Sequence, residues 1–220
     1  MRFPNAYKGV KKVFAAEILG IIAAILALVG VIMVNIGNNK PDDNIVASGG
    51  LLALVALIVS VVSFIIQIVG LHQGGKDNGY IRMSFILMIG SILLGIVAAV
   101  VSGIDSNVQV DLSLVSTILD KVGDIFTLFV TIYLFQGIAN LAKQLNDEKM
   151  YKTGKTLATI ILGLFILSLV LSLLGNVIKS DNNVVVTVFG VLGIVAAVID
   201  LIVNIICFFY LGKAVKMLKK

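Results

Sequence analysis

From Val184 to Leu211 the chain runs for 28 residues, VVVTVFGVLGIVAAVIDLIVNIICFFYL, with one charged residue, Asp200, close to the middle. Roughly 20 apolar residues suffice to carry a helix across the hydrocarbon of a bilayer. The run exceeds that length and is bounded by Asp181-Asn182-Asn183 on one side and Lys213 on the other. It reads as a transmembrane helix and sets the standard for the rest of the chain. By that standard five more spans are expected, at about 13–35, 47–71, 80–103, 122–140 and 157–178. The fourth is the least defined. Residues 105–121 mix Asp, Ser and Asn with Val and Leu. Either one helix of about 30 residues starts near Asp111, or a short surface helix precedes a span starting near Val122. The expectation is an all-α membrane protein, a single integral membrane domain over residues 1–220, with six transmembrane helices packed as three hairpins.

Composition agrees. Of the 220 residues, 59% are hydrophobic and 13% charged, with a mean hydropathy of +1.10. A soluble domain averages about 25% charged residues, so this chain lacks the polar groups to cover a water-facing surface. A lone cysteine, Cys207, excludes an internal disulfide and a cysteine-built zinc site. The first apolar run is longer than a signal-peptide core and no small-residue cleavage site follows it, so it is expected to be a retained helix.

The placement of charge fixes the expected orientation. Basic residues stay in short cytoplasmic loops. Fourteen of the 17 lysines and arginines fall in the N-terminus, the second and fourth connections, and the C-terminus. Only Lys40, Lys121 and Lys179 fall at the opposite ends. Both termini are therefore expected in the cytoplasm, with the short Asn- and Lys-containing loops suggesting a bacterial plasma membrane. The net charge of +5 is explained by this bias, and no nucleic-acid partner is expected.

A pattern recurs about every 70 residues, giving candidate repeats at 7–79, 80–150 and 151–220. Each opens on a tyrosine near basic residues, Tyr7, Tyr80 and Tyr151. Each first helix carries a glycine after two apolar residues: Gly20, Gly90 and Gly163. Such a repeat implies pseudo-three-fold packing of like-oriented hairpins, unlike the inverted repeats of many secondary transporters.

Small residues mark helix contacts in lipid, because backbones must approach closely for van der Waals packing to hold them. The second helix has a regular seam of Ala53, Ala56, Ser60, Ser63, Gln67, Gly70 and Gly74. The first has Ala16, Gly20, Ala23, Ala27 and Gly30; the third has Ser84, Ser91, Gly95, Ala98 and Ser102. Steps of three and four keep such residues on one side of a helix.

Polar residues deep in these spans are the candidate functional groups. A carboxylate at the bilayer centre costs about 2.5–3.5 kcal/mol on insertion scales, and such residues face bundle interiors and mark pathways. Asp200 is the leading candidate, with Asn204 one turn on. Asp124 and Gln67 complete the expected substrate or ion pathway. Glu17, four residues into the first span, is expected to reach back toward Lys11 or Lys12. His72 is expected as a solvated interfacial residue. Gly154-Lys155-Thr156 resembles the end of a phosphate-binding loop, but position 149 is Lys where the motif needs Gly. With one histidine and no catalytic or metal-ligand motif, an enzyme, a metal site and a bound cofactor are not expected. The expected function is a small permease, or the membrane subunit of a larger transporter, for a small solute or ion. Lipid is the expected environment, with partner membrane subunits or an ATPase as possible associates. The alternative is a non-catalytic scaffold, assembly or immunity-type membrane protein.

Overall fold

A computed structural model describes residues 2–39, 43–105, 113–177 and 183–219. These fold into six helices, with no strand among the described residues: α1 (Pro4–Asn39), α2 (Asp43–Gly74), α3 (Gly79–Asp105), α4 (Ser113–Gln144), α5 (Glu148–Val177) and α6 (Asn183–Lys219). By length and apolarity α1 to α5 each suffice to cross a membrane, and α6 contains the 28-residue run described above. The fourth helix is the long form, continuous from Ser113. The chain is thus a helical protein built for a lipid environment. Leu28 on α1 and Leu57 on α2 are 61% and 65% exposed, and many isoleucines and valines beside them are similarly bare, as a lipid-facing surface permits.

The helices run further into the lysine-rich end than apolarity indicates. Residues 1–12, expected as a polar head, are helical from Pro4. The expected polar loop 141–156 shrinks to the three residues between α4 and α5, and the expected tail after Leu211 remains helix to Lys219. Span-finding by apolarity detects contact with lipid, whereas a helix continues as long as its backbone bonds and one packed face are satisfied. That face is present. Ala6 and Val10 of α1, Leu71 of α2, Ile81 of α3, Ile138 and Leu141 of α4, Met150 of α5, and Ala214 and Leu218 of α6 form one buried cluster. All six helices meet there. α4 is the central one: 56% of its most apolar window is buried, against 11% for α1 and for α2.

The ends at this cluster are capped by side chains. Pro4 suits the first helical position, since its missing N–H has no intrahelical partner there. The preceding Phe3 cannot cap, and Asp77 from the α2–α3 turn does so instead. Its Oδ2 accepts the backbone N–H groups of Asn5 at 2.8 Å and Ala6 at 2.9 Å, and its Oδ1 accepts Asn5 Nδ2 at 2.8 Å. The next residue, Asn78, is buried and caps α3: its Oδ1 accepts the N–H of Tyr80 at 2.9 Å and of Ile81 at 3.3 Å. Asn146 ends α4 in the left-handed region at φ 57°, and Asp147 starts α5 by accepting the Met150 N–H at 3.0 Å. Removing a capping side chain costs about 1–2 kcal/mol. Asp77→Ala is therefore expected to lower the protein's unfolding free energy by about that amount, with Asp77→Asn closer to wild type. Unfolding titrations in mixed micelles check this, and an unchanged midpoint for Asp77→Ala would remove the cap from the account.

The α1–α2 pair is held by the small-residue seam. Ser63 Oγ donates to the Ala16 carbonyl at 2.7 Å, Ala23 and Ala56 are buried, and the seam extends beyond its expected ends to Gly9 and Gly49. A Cβ on Gly30 would stand 2.8 Å from the Gly49 carbonyl oxygen. One on Gly9 would stand 2.5 Å from the Gly70 carbonyl oxygen. α3 meets α4 through the buried Ser84, whose Oγ donates to the Val130 carbonyl at 2.7 Å, and through Ser91 against Thr127 at 3.2 Å. α5 packs on α4, and α6 packs on α1 and α5.

Candidate functional site

α1 leaves the lysine-rich end and α6 returns to it, so the two lie antiparallel. Their register is set by aromatic contact. The rings of Phe14 and Phe208 have centroids 5.0 Å apart, and a Cβ on Gly212 would lie 3.4 Å from the Phe14 ring. From that ring pair both helices proceed toward the opposite end. A helix rises about 1.5 Å per residue. Glu17, three residues past Phe14, is therefore about 4.5 Å further along α1. Asn204 and Asp200, four and eight residues before Phe208, are about 6 and 12 Å further along α6. Four-residue steps put positions 200, 204 and 208 on one stripe of α6.

Gln67 enters from the other side of α1. It is half-buried on the seam stripe of α2, between Ser63, which bonds Ala16, and Gly70, which abuts Gly9 and Val13. Gln67 is therefore level with the Val13–Ala16 turn, just before Glu17. Position 17 lies between the α2-facing and α6-facing stripes of α1. Glu17 is half-buried, and among the described residues it makes no ion pair. The expected reach toward Lys11 or Lys12 is not made.

The other expected residues are placed as follows. Asn204 is exposed on the α6 surface and is engaged in an interaction of its own. The backbone of α6 is continuous through Asp200; its side chain lies outside the described residues. Asp124 stands on α4, whose main neighbours are α3 and α5. It is exposed and pairs with Lys121 at 3.2 Å, one turn away on the same helix. His72 is exposed, with its ring 5.0 Å from that of Phe85. Gly154-Lys155-Thr156 lies inside α5, so its amides are committed to the helix. Among the described residues no group of His, Cys, Asp and Glu is arranged to hold a metal ion.

Sequence reasoning gave Glu17 less weight than Asp200, because it took the nearby lysines as partners. The signal that raises it is the two aromatic residues, Phe14 and Phe208, whose contact brings the turn of α1 before Glu17 against α6. No protein-family model matches the chain, and no curated protein or solved structure shows significant similarity to it.

Proposed function

We propose that this chain is a small permease, or the membrane subunit of a larger transporter, that couples passage of a small solute or ion to protonation of carboxyl groups carried by the packed helices α1 and α6. The observation that carries this reading is Glu17: half-buried, without an ion pair among the described residues, and on the helix packed against the one that holds Asn204 and Asp200. Intramembrane acids in apolar helices recur in proton and cation pathways. Gln67 supplies a neutral donor and acceptor at the level of Glu17, suited to a solute or a water. Asp124, exposed on α4 and paired with Lys121, stands apart from the α1–α6 contact. The role is non-enzymatic. ATP-driven transport would require an ATPase partner.

In this reading all six helices cross a plasma membrane, of a bacterial type, with the lysine-rich end and both termini in the cytoplasm. The three hairpins are repeats of one unit. Gly20 faces Ser63 across the first hairpin and Gly90 faces Phe126 across the second, whereas Gly163 of the third has no neighbour within 4 Å of its Cβ position among the described residues, so the structure supports the likeness for the first two hairpins alone. The test is flux. Purified protein in proteoliposomes, loaded with a pH-sensitive dye, is exposed to amino acids, sugars, organic acids and monovalent cations in turn. A solute-dependent proton movement supports the reading, and its absence for every class counts against it.

A scaffold, assembly or immunity-type role is the second reading. It is favoured by the position of the packed core, which braces the lysine-rich face as a rigid platform. It requires that neutralising the membrane acids leaves function in the cell untouched.

A further inference from the structure

At the lysine-rich end, α5 and α6 part around a cavity of about 580 Å³. Lys149 of α5 and Lys213 and Lys216 of α6 line it, together with an apolar wall of Ile206, Phe209 and the buried Tyr210. The cavity's own polar groups are already engaged. The Tyr210 hydroxyl donates to the Met150 carbonyl at 3.2 Å, and the Asp147 carboxylate caps α5 through the Met150 N–H. The three ammonium groups are different. Among the described residues none has a carboxylate within ion-pair distance. Lys149 sits in the first turn of α5, whose positive end Asp147 and Glu148 already offset, so the case for an anion rests on the lysines and the apolar wall.

Charge and shape together specify the occupant. Three unpaired lysines call for an anion with several acceptor oxygens. The wall formed by Ile206 and Phe209 continues onto the lipid-facing surface, where Phe209 is 61% exposed. An anion that is also attached to hydrocarbon satisfies both. We propose that the α5–α6 cavity binds the phosphodiester headgroup of an anionic phospholipid, with the lysines on its phosphate and an acyl chain along Ile206 and Phe209. Basic pockets between transmembrane helices on the cytoplasmic side hold headgroups in this way. The proposal is independent of the permease reading and stands whether or not the chain moves a solute.

Native mass spectrometry of the detergent-solubilised full chain tests it, titrating phosphatidylglycerol against phosphatidylcholine. Wild type is expected to retain phosphatidylglycerol preferentially. Each lysine is worth about fivefold in binding near a membrane surface, so a combined Lys149→Gln, Lys213→Gln and Lys216→Gln variant is expected to lose about 100-fold. Replacing the same three lysines by arginine should restore binding and show that the fold is intact. Lys8→Gln, Lys11→Gln and Lys76→Gln together remove equal charge from the same end and should leave the preference in place. Equal loss in both glutamine sets, or no preference between the two lipids in wild type, overturns the site. Displacement of the lipid by inorganic phosphate at comparable concentration overturns the lipid and leaves a small-anion site.

Discussion

Gly9→Val is expected to destabilise the protein by about 3 kcal/mol or more, at the upper end of what overpacking costs. A Cβ on Gly9 would stand 2.5 Å from the carbonyl oxygen of Gly70 and 2.5 Å from the amide nitrogen of Gly74. Both atoms are backbone, so no rotamer change can make room. The helices must separate, and they would separate at the end where α1 also meets the shared core through Ala6 and Val10. The loss therefore spreads beyond one contact. Gly50, also on α2, has no neighbour within 4 Å of its Cβ position among the described residues. Gly50→Ala should be neutral or slightly stabilising, since alanine is the better helix former. Unfolding titrations of the two variants in mixed micelles separate close approach from helix propensity. Equal midpoints would mean that the α1–α2 seam is not tightly packed.

The second large effect is functional. Asp200→Asn and, separately, Glu17→Gln are expected to abolish solute-coupled proton movement. A positioned proton-transfer group contributes about two to four orders of magnitude, so residual flux should fall below about 1% of wild type. Each amide keeps the size and much of the hydrogen bonding of the acid it replaces but exchanges no proton. Removing an ionisable group from within a span also removes a cost of insertion. Stability should thus hold or rise while coupling is lost. That opposition distinguishes a relay from a structural bridge. A bridging acid replaced by an amide would lose stability and keep flux. Asp124→Asn, by contrast, breaks only an exposed pair with Lys121, and such pairs are worth about 0–1 kcal/mol. A partial reduction of flux is the most it should produce.

The small-residue seam was legible in the chain because Ala53, Ala56, Ser60, Ser63, Gln67, Gly70 and Gly74 alternate steps of four and three, and nothing else in α2 competes with that spacing. Its ends were not. Gly9 lies among lysines and Gly49 beside another glycine, where apolarity gives no indication of packing. The core at the lysine-rich end was hidden for the same reason. Ala214, Met217 and Leu218 bury one face of a helix whose other face carries Lys213, Lys216 and Lys219, and averaging over the stretch makes it look like a polar tail. Asp77 illustrates a different limit. Its role as the cap of α1 depends on a contact between residues more than 70 positions apart, and no local pattern encodes that. Of the candidate pathway, the residue types were readable. Which helix faces which was not: Phe14 against Phe208 brings the turn of α1 before Glu17 against α6, while Asp124 is held by its own Lys121.

The proposed proton pathway and the proposed phospholipid site both presuppose six crossings with the lysine-rich end in the cytoplasm. Single cysteines introduced at Asn38, Ser102 and Asn183, and at Lys76, Asn146 and Lys219, in a Cys207→Ser background test this most directly. A membrane-impermeant maleimide applied to intact cells should label the first three, and the second three only after the membrane is opened. Labelling of Lys76, Asn146 or Lys219 positions in intact cells, or protection of position 183, would contradict the account.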